Sequence, residues 1–329
     1  MRSKIASHAF GARFRRRSWL IGYLVFGLIL VASASALSQD KKKPPQQQRD
    51  DDVVQLHSDL VVVNLIVTDA KGQYARGLTA KDFTVFENDA AQTIDKLLTE
   101  ETPFAAAILI DTSASMDYKF GLVRAAAASF IDHIREDDQV AVYGFNDKIK
   151  VFQDFSDLHD ISEYVWDAKA ENNTRLYDCA DEAIIALEKR SEKRKAILVI
   201  SDGWDTTSRS ATFDSVMKKA LALGITIYSI DLVEDSARMG SSSNVLGLRR
   251  GQTEMKEFAS QTGGRYVHSP QGDKLEEAFT GIVDELRNQY TVTYYPANQK
   301  RDGRWRKLNV NTSRPGLTVR TRKGYWAPK

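Results

Sequence analysis

The chain contains few residues that could cross-link it or bind a transition metal. Cys179 is its one cysteine among 329 residues, which excludes an internal disulfide. The five histidines are scattered, with no recognisable carboxylate-pairing motif, and no Cys/His group has the spacing of a zinc site. The fold must therefore rest on its hydrophobic core. At 42% hydrophobic, the chain is long enough for one large domain or two modest ones, and Cys179 is expected to be a small buried side chain on a helix.

Positive charge is scarce in the body of the chain. The net charge is +2, but residues 1–36 carry six basic residues and no acid, and residues 300–329 carry ten basic residues and one Asp. Residues 37–299 therefore carry a net charge of −13. An acidic body argues against a nucleic-acid surface. The basic tail is explained most simply as a solvated pair of strands whose Lys and Arg protect a sheet edge.

Long apolar runs are also rare, and the single run that approaches the length of a membrane span is Trp19–Val31. Four arginines lie just before it, and small residues follow it in Ala32–Ala36, a pattern typical of a secretory signal peptide. An uncleaved anchor formed by residues 19–36 is the alternative. Either interpretation places the body outside the cytoplasm, in the periplasm or the extracellular space. The polar segment 37–52 reads as a flexible linker.

From residue 102 to residue 287, apolar runs alternate with helical patterns. This rhythm predicts an α/β fold with a doubly wound, mostly parallel sheet, and Asn146-Asp147 predicts a hairpin to one antiparallel edge strand. The predicted strands are Phe104–Ile110, Gln139–Phe145, Lys148–Phe152, Ala196–Ser201, Ile225–Ile230 and a short one at Arg265–Val267. The predicted helices are Tyr118–Arg135, Leu158–Ala168, Leu176–Lys189, Thr212–Ala222, Thr253–Thr262 and Asp273–Arg287. Between them, Leu232–Gln252 is rich in Ser and Gly and is expected to be a long loop.

Both flanks of this region read as short strands with turns between them. Neither flank has enough strands to be stable alone. We therefore expect residues 53–101 and 288–326 to combine into one small β-domain, into which the α/β domain 102–287 is inserted.

The run Asp111-Thr-Ser113-Ala-Ser115 carries the chemistry of the chain. It directly follows the apolar run Phe104–Ile110 and precedes a helical pattern, so it lies at the carboxyl end of a buried strand, where open α/β sheets bind ligands. Its carboxylate and hydroxyls are oxygen donors, which suit a hard cation such as Mg²⁺.

Two later segments carry the same kind of side chains. Ile197–Gly203 is a second apolar run that ends in Asp202 and glycine, and Thr174 opens a helix between the two runs. Here the chain resembles the von Willebrand factor type A (VWA) family, whose metal-ion-dependent adhesion site is a D-x-S-x-S loop, a later Thr and a later Asp before Gly. The chain departs from that pattern at Asn172-Asn173, where many relatives carry Gly-Gly. By this resemblance the metal residues are Asp111, Ser113, Ser115, Thr174 and Asp202.

The flanks resemble one bacterial branch, the acidobacterial VWFA-related domain family. The matching segments are Gly77–Glu87 at the front and Arg320–Tyr325 at the back. The resemblance then covers residues 53–326.

The resemblance implies a Mg²⁺ site, with Mn²⁺ or Ca²⁺ as alternatives. It also implies an open metal position that an Asp or Glu of a protein partner fills. Arg175 and Trp204 are candidate rim contacts because both residue types are enriched in binding hot spots. Ordinary loop surface or packing explains them equally well.

These features favour a non-enzymatic, adhesion-type binding module. One alternative is a structural envelope component whose metal ties loops together. Another is a metal-dependent hydrolase, which is disfavoured because no general base, nucleophile or second metal accompanies the motif. An aspartyl-phosphate mechanism through Asp111 is disfavoured too, since Ser113 occupies the position of the second Asp in D-x-D-x-T.

Overall fold

A computed structural model describes residues 60–99, 102–119, 121, 123, 130, 133–156, 173–270 and 273–329. All of them belong to the unit Leu56–Lys329. The predicted signal segment, the linker, the helix Leu158–Ala168 and most of the helix Tyr118–Arg135 lie outside these residues. In the part of the chain that the structure describes, no helix combines the length and the apolar character that a membrane crossing requires.

The described residues form fourteen strands and four α-helices. The strands are β1 (Val61–Thr68), β2 (Phe83–Glu87), β3 (Ala90–Gln92), β4 (Ile94–Leu98), β5 (Phe104–Asp111), β6 (Gln139–Phe145), β7 (Ile149–Ser156), β8 (Arg194–Ser201), β9 (Thr226–Asp231), β10 (Tyr266–His268), β11 (Tyr290–Tyr294), β12 (Trp305–Thr312), β13 (Thr318–Arg320) and β14 (Gly324–Trp326). The helices are α1 (Leu176–Glu188), α2 (Phe213–Leu223), α3 (Ser243–Thr262) and α4 (Asp273–Arg287).

The central sheet has six strands in the order β10-β9-β8-β5-β6-β7. All neighbouring pairs are parallel except β6 and β7, which form the hairpin predicted at Asn146-Asp147. Every residue of β5 is buried, because helices cover both faces of the sheet. Alternate β5 residues join two separate cores, one packed against α4 and the other against α1, α2 and α3. The predicted doubly wound α/β fold is confirmed.

Helix α3 corrects one prediction. Leu232–Gln252 was expected to be a loop, yet α3 begins at Ser243, ten residues before the predicted start, and Asp235–Arg238 forms a 3-10 turn. The Ser242 hydroxyl accepts a hydrogen bond from the Val245 amide (3.4 Å) and caps the helix. Of the glycines that made this segment look like a loop, Gly240 lies before the helix, and Gly247 and Gly251 lie inside it, where they allow close packing.

The strands of the two flanks pair with one another in two antiparallel sheets, ordered β13-β1-β11-β4 and β14-β12-β2-β3. β1 pairs with β11, and β2 pairs with β12. A third core fills the space between these sheets and includes Val63, Val85 and Val292, all fully buried. This pairing agrees with the predicted β-domain, although its domain boundaries stay a prediction.

The buried Arg194 ties together the two places where the chain passes between the central sheet and the flanking sheets. Its guanidinium donates to the carbonyl of Thr102 (3.1 Å) before β5, and to the carbonyls of Leu286 (3.4 Å) and Gln289 (2.5 Å) around the end of α4. Its Nε also donates to the Thr291 hydroxyl (3.2 Å) in β11. One side chain therefore satisfies main-chain acceptors on both connections.

Candidate functional site

The site is built first from the ends of two adjacent parallel strands. β5 ends at Asp111 and β8 ends at Ser201, and the two strands pair as far as Ile110 and Ile200. The Ser201 hydroxyl donates to Asp111 Oδ2 (2.5 Å), and the Ser113 amide donates to Asp111 Oδ1 (2.9 Å). Both oxygens of this fully buried carboxylate are therefore held in fixed directions.

A chain of short contacts joins the serines to the second carboxylate. The hydroxyl oxygens of Ser113 and Ser115 lie 2.9 Å apart, and Ser115 Oγ donates to Asp202 Oδ2 (2.9 Å). The Trp204 amide donates to Asp202 Oδ1 (2.9 Å) and fixes its orientation. The structure thus brings Asp111, Ser113, Ser115 and Asp202 together at the carboxyl edge of the sheet.

Thr174 reaches the same edge through its main chain. Its amide donates to the Thr206 hydroxyl (2.9 Å). Its carbonyl accepts from the amides of Thr206 and Thr207 (3.0 Å each). These bonds attach the start of α1 to the loop that follows Asp202. Thr174 is 5% exposed, so it lies buried beside that loop.

The electrostatics of the site suit a cation. Burial, together with the charge of Asp202, raises the pKa of Asp111 to about 7, and burial also raises the pKa of Asp202. Two buried carboxylates are costly without a positive charge close by. The described residues contain no group of three or more His, Cys, Asp and Glu arranged for a metal. The oxygen donors that the structure brings together are two carboxylates and the serine hydroxyls. Oxygen ligands of this kind fit Mg²⁺.

Comparison with known families agrees with this geometry. Residues 107–280, more than half of the chain, match the von Willebrand factor type A domain. The chain belongs to the VWA family. No curated protein matches it.

Several solved structures resemble this VWA chain. An aerotolerance-related membrane protein from Bacteroides fragilis is 15% identical, with 56% of this chain and 98% of that chain covered, at a TM-score of 0.42. Proximal thread matrix protein 1 from the mussel byssus was solved with zinc in its metal-ion-dependent adhesion site (MIDAS) motif. It is 15% identical, with 61% of this chain and 49% of that chain covered, at a TM-score of 0.46. The pilus adhesin SpaC from Lactobacillus rhamnosus GG is 10% identical (82% and 48% covered, TM-score 0.46). This chain spans about half the length of the last two, and the likeness is one of fold alone.

A buried ion pair beside the VWA motif was missed by the sequence analysis. Asp231 ends β9, the strand next to β8, and is fully buried. Arg238 donates to both of its carboxylate oxygens (2.7 Å each) and to the carbonyl of Val233 (2.7 Å). The negative charge of Asp231 helps to raise the pKa of Asp202, whereas the positive charge of Arg238 lowers that pKa. The sequence signal that could have revealed this pair is Asp231 itself, at the carboxyl end of another apolar strand.

No sequence motif links a histidine to a carboxylate, yet the fold places His268 beside two of them. It ends β10, beside β9, and its Nε2 lies 3.0 Å from Asp235 and its Nδ1 lies 3.4 Å from Asp231. The Tyr266 hydroxyl also donates to Asp231 (2.5 Å). These partners are more than thirty residues away in sequence, and only the pairing of β9 with β10 brings them together.

The two residues predicted at the rim have structural contacts of their own. Arg175 forms an ion pair with Asp178 (2.6 Å) at the start of α1. Trp204 lies against α3, so close that a Cβ at Gly247 would lie 2.2 Å from its ring. Both side chains are half-buried, and their role toward a partner stays a prediction. Cys179 is fully buried, and burial raises its pKa well above the ordinary value.

Asp178 holds the loop that follows Asp202. Its carboxylate accepts from the amides of Arg209 (3.0 Å), Ser210 (2.9 Å) and Ala211 (2.9 Å), as well as from Arg175. Burial opposes the charged form, but these hydrogen bonds outweigh it and lower the pKa of Asp178 to about 2. The sequence Leu-Tyr-Asp after Thr174 therefore contains a residue that fixes one wall of the site.

We expect Asp178→Asn to destabilise the protein by about 2–3 kcal/mol at neutral pH, because the amides of Arg209, Ser210 and Ala211 lose a charged acceptor. The folded-state pKa lies below the ordinary value, so the stabilisation is complete above about pH 4 and disappears as the pH falls toward 2. Urea unfolding at several pH values should show the two proteins converging in acid. Asp181→Asn on the same helix removes only a surface ion pair with Lys219 and should cost less than about 1 kcal/mol. A constant gap between wild type and Asp178→Asn down to pH 2 would contradict the assignment.

Proposed function

We propose that this VWA domain is a metal-dependent protein-binding module and not an enzyme. The observation that carries the proposal is the hydrogen-bonded cluster of oxygen donors around two buried carboxylates at the carboxyl edge of the sheet. Asp111, Ser113, Ser115, Thr174 and Asp202 would hold the cation. Mg²⁺ fits this oxygen set, and Mn²⁺ or Ca²⁺ are alternatives.

The protein's own residues prepare the site. Ser201 and the Ser113 amide orient Asp111, and the Trp204 amide orients Asp202. The proposed ligands supply two formal negative charges, so a dication bound there keeps a net positive charge and can accept a carboxylate from a partner's Asp or Glu. Ser115 is exposed at the surface, which leaves the cluster accessible from that side.

A non-enzymatic role agrees with the surroundings of the cluster. Among the described residues, the hydrogen bonds of the four clustered side chains run to serine hydroxyls, main-chain amides and each other, with no histidine, lysine or cysteine joined to them. Histidine, lysine and cysteine are common general bases and nucleophiles, so their separation from the cluster supports a binding role. The N-terminal apolar segment supports an exported location, with a signal peptide or an anchor formed by residues 19–36.

The first test measures the cation itself. Titration of Mg²⁺ and Mn²⁺ into the metal-free full chain should give saturable binding, and a concentration of 100 Kd should stabilise the fold by about 2.7 kcal/mol. Asp111→Asn should abolish this stabilisation. It should also unfold in EDTA at a temperature no lower than wild type, since it removes the repulsion between two buried carboxylates.

Asp137→Asn, at an exposed position away from the cluster, is the matched control and should behave as wild type.

A pull-down in Mg²⁺ and in EDTA then tests the partner. A protein retained by wild type only with metal, and not by Asp111→Asn, supports the adhesion-type role. If the metal binds but the partner is retained equally in Mg²⁺, in EDTA and by Asp111→Asn, the cation would only connect loops of the fold.

A further inference from the structure

A cavity of about 310 Å³ lies far from the VWA motif, near the edge where the central strands begin. Helix α2 leaves the carboxyl end of β8 and returns to the amino end of the parallel β9, so its last turn lies at the edge opposite Asp111. That last turn forms one wall of the cavity. The start of β1 and the C-terminal segment Tyr325–Lys329 form the others.

The lining of this cavity is apolar apart from three cations. Lys218, Arg322 and Lys329 line it, and none of the lining residues is acidic. Lys218 and Lys329 are exposed, whereas Arg322 is 5% exposed and lies inside. The remaining lining residues are Leu60, Val61, Val62, Ala222, Leu223, Gly224, Tyr325, Trp326, Ala327 and Pro328.

The buried guanidinium of Arg322 is only partly satisfied. Its two Nη atoms donate to the carbonyls of Leu221 and Val62 (2.8 Å to Val62), while its Nε has no hydrogen-bond partner. Burial lowers the pKa of Arg322 to about 10, so it remains a cation at neutral pH. A buried cation whose hydrogen bonds reach only carbonyls is costly, and an incoming anion would stabilise it.

The protein does not supply that anion from its described residues, since the hydrogen bonds of Arg322 among them reach carbonyls and no carboxylate. Glu87 contributes a favourable charge, but its carboxylate accepts hydrogen bonds from the hydroxyls of Tyr294 (2.8 Å) and Tyr325 (2.7 Å). The Arg322 guanidinium also lies 5.2 Å from the centroid of the Tyr325 ring. The charge of Arg322 therefore lacks a close anionic partner among the described residues, and a carboxylate bound in the cavity would supply one.

We propose that this cavity binds a small organic monocarboxylate with an apolar tail. The guanidinium of Arg322 inside the cavity and the two ammonium groups at its mouth complement a single carboxylate. The apolar walls complement the tail and penalise a more highly charged ligand. The volume lies at the lower end of the usual range for small-molecule sites. An eight-carbon acid is of the right size. The site is independent of the metal cluster.

Calorimetric titration of octanoate into the full chain tests the proposal, with octan-1-ol and acetate as ligand controls. Octanoate should bind saturably and at least about tenfold more tightly than either control. Lys218→Ser should weaken octanoate about three- to tenfold, and Ala222→Trp, from an exposed position on α2, should abolish binding by filling the cavity. Lys81→Ser, an exposed lysine outside the lining, should bind as wild type.

Arg322→Gln should give the largest loss of any charge variant, and if it does not fold, Lys218→Ser and Ala222→Trp decide the matter. Octan-1-ol binding as tightly as octanoate would overturn the proposal, because charge would then play no part. Unchanged octanoate affinity in both Lys218→Ser and Ala222→Trp would overturn it too, as would the absence of saturable octanoate binding to wild type.

Discussion

Gly251→Ala should lower the unfolding temperature by roughly 10 °C and weaken metal binding about tenfold or more. Gly251 lies in α3 directly against the main chain that follows Asp202. A Cβ at this position would lie 2.4 Å from the carbonyl carbon of Gly203 and 2.7 Å from the amide nitrogen of Trp204. Because those atoms are main chain, the loop or the helix must shift, at a cost of about 3 kcal/mol. The shift would displace the Trp204 amide, which orients Asp202.

Thermal unfolding in EDTA measures the packing cost of Gly251→Ala, and titration of Mg²⁺ at a temperature where the variant is folded measures the effect on the site. Gly121→Ala is the matched control, since a Cβ there meets none of the described residues within 4 Å. It should be neutral or slightly stabilising, as alanine is the better helix former. Wild-type metal affinity in a destabilised Gly251→Ala would show that α3 supports the fold without positioning the loop.

Arg194→Met should destabilise the protein on the order of 4 kcal/mol. The methionine fills part of the space but leaves several buried carbonyls without a donor, among them those of Thr102 and Gln289. Each unsatisfied buried acceptor costs about 1–3 kcal/mol, and water entry can recover part of that cost. Urea unfolding measures the loss.

Lys193→Met, next in sequence and exposed, removes the same charge without removing a buried donor. It should change stability by less than about 0.5 kcal/mol. Equal effects of the two substitutions would mean that the carbonyls around Arg194 find other donors. A loss in Arg194→Met that spares the central sheet in hydrogen exchange would place the damage at the connections to the flanking sheets.

Most of the candidate site was visible in the sequence because its side chains sit at the ends of apolar strands. Asp111 and Asp202 each follow such a run, and neighbouring parallel strands necessarily end at one edge of the sheet. The Asp231–Arg238 pair obeys the same rule for the aspartate, but the position of Arg238 depends on a 3-10 turn inside a segment rich in Ser and Gly. Local composition gives no signal for that contact.

The fold was predictable to a similar degree. Burial on both faces makes β5 and β8 continuous apolar runs, and α4 begins and ends where its apolar spacing predicts. The early turns of α3 could not be predicted, since Gly247 and Gly251 have low helix propensity. They are explained only by their contacts with Trp204 and Gly203, and tertiary packing of this kind lies outside any local pattern.

The pairing of the flanking strands imposes an order on folding during synthesis. β1 and β2 leave the ribosome early, yet their partners β11 and β12 lie more than 200 residues later in the chain. The central sheet pairs its strands over much shorter separations and can assemble while the partners of β1 and β2 are still to be made. Until translation ends, β1 and β2 remain without those partners, as nascent segments with unpaired edges open to association with other chains.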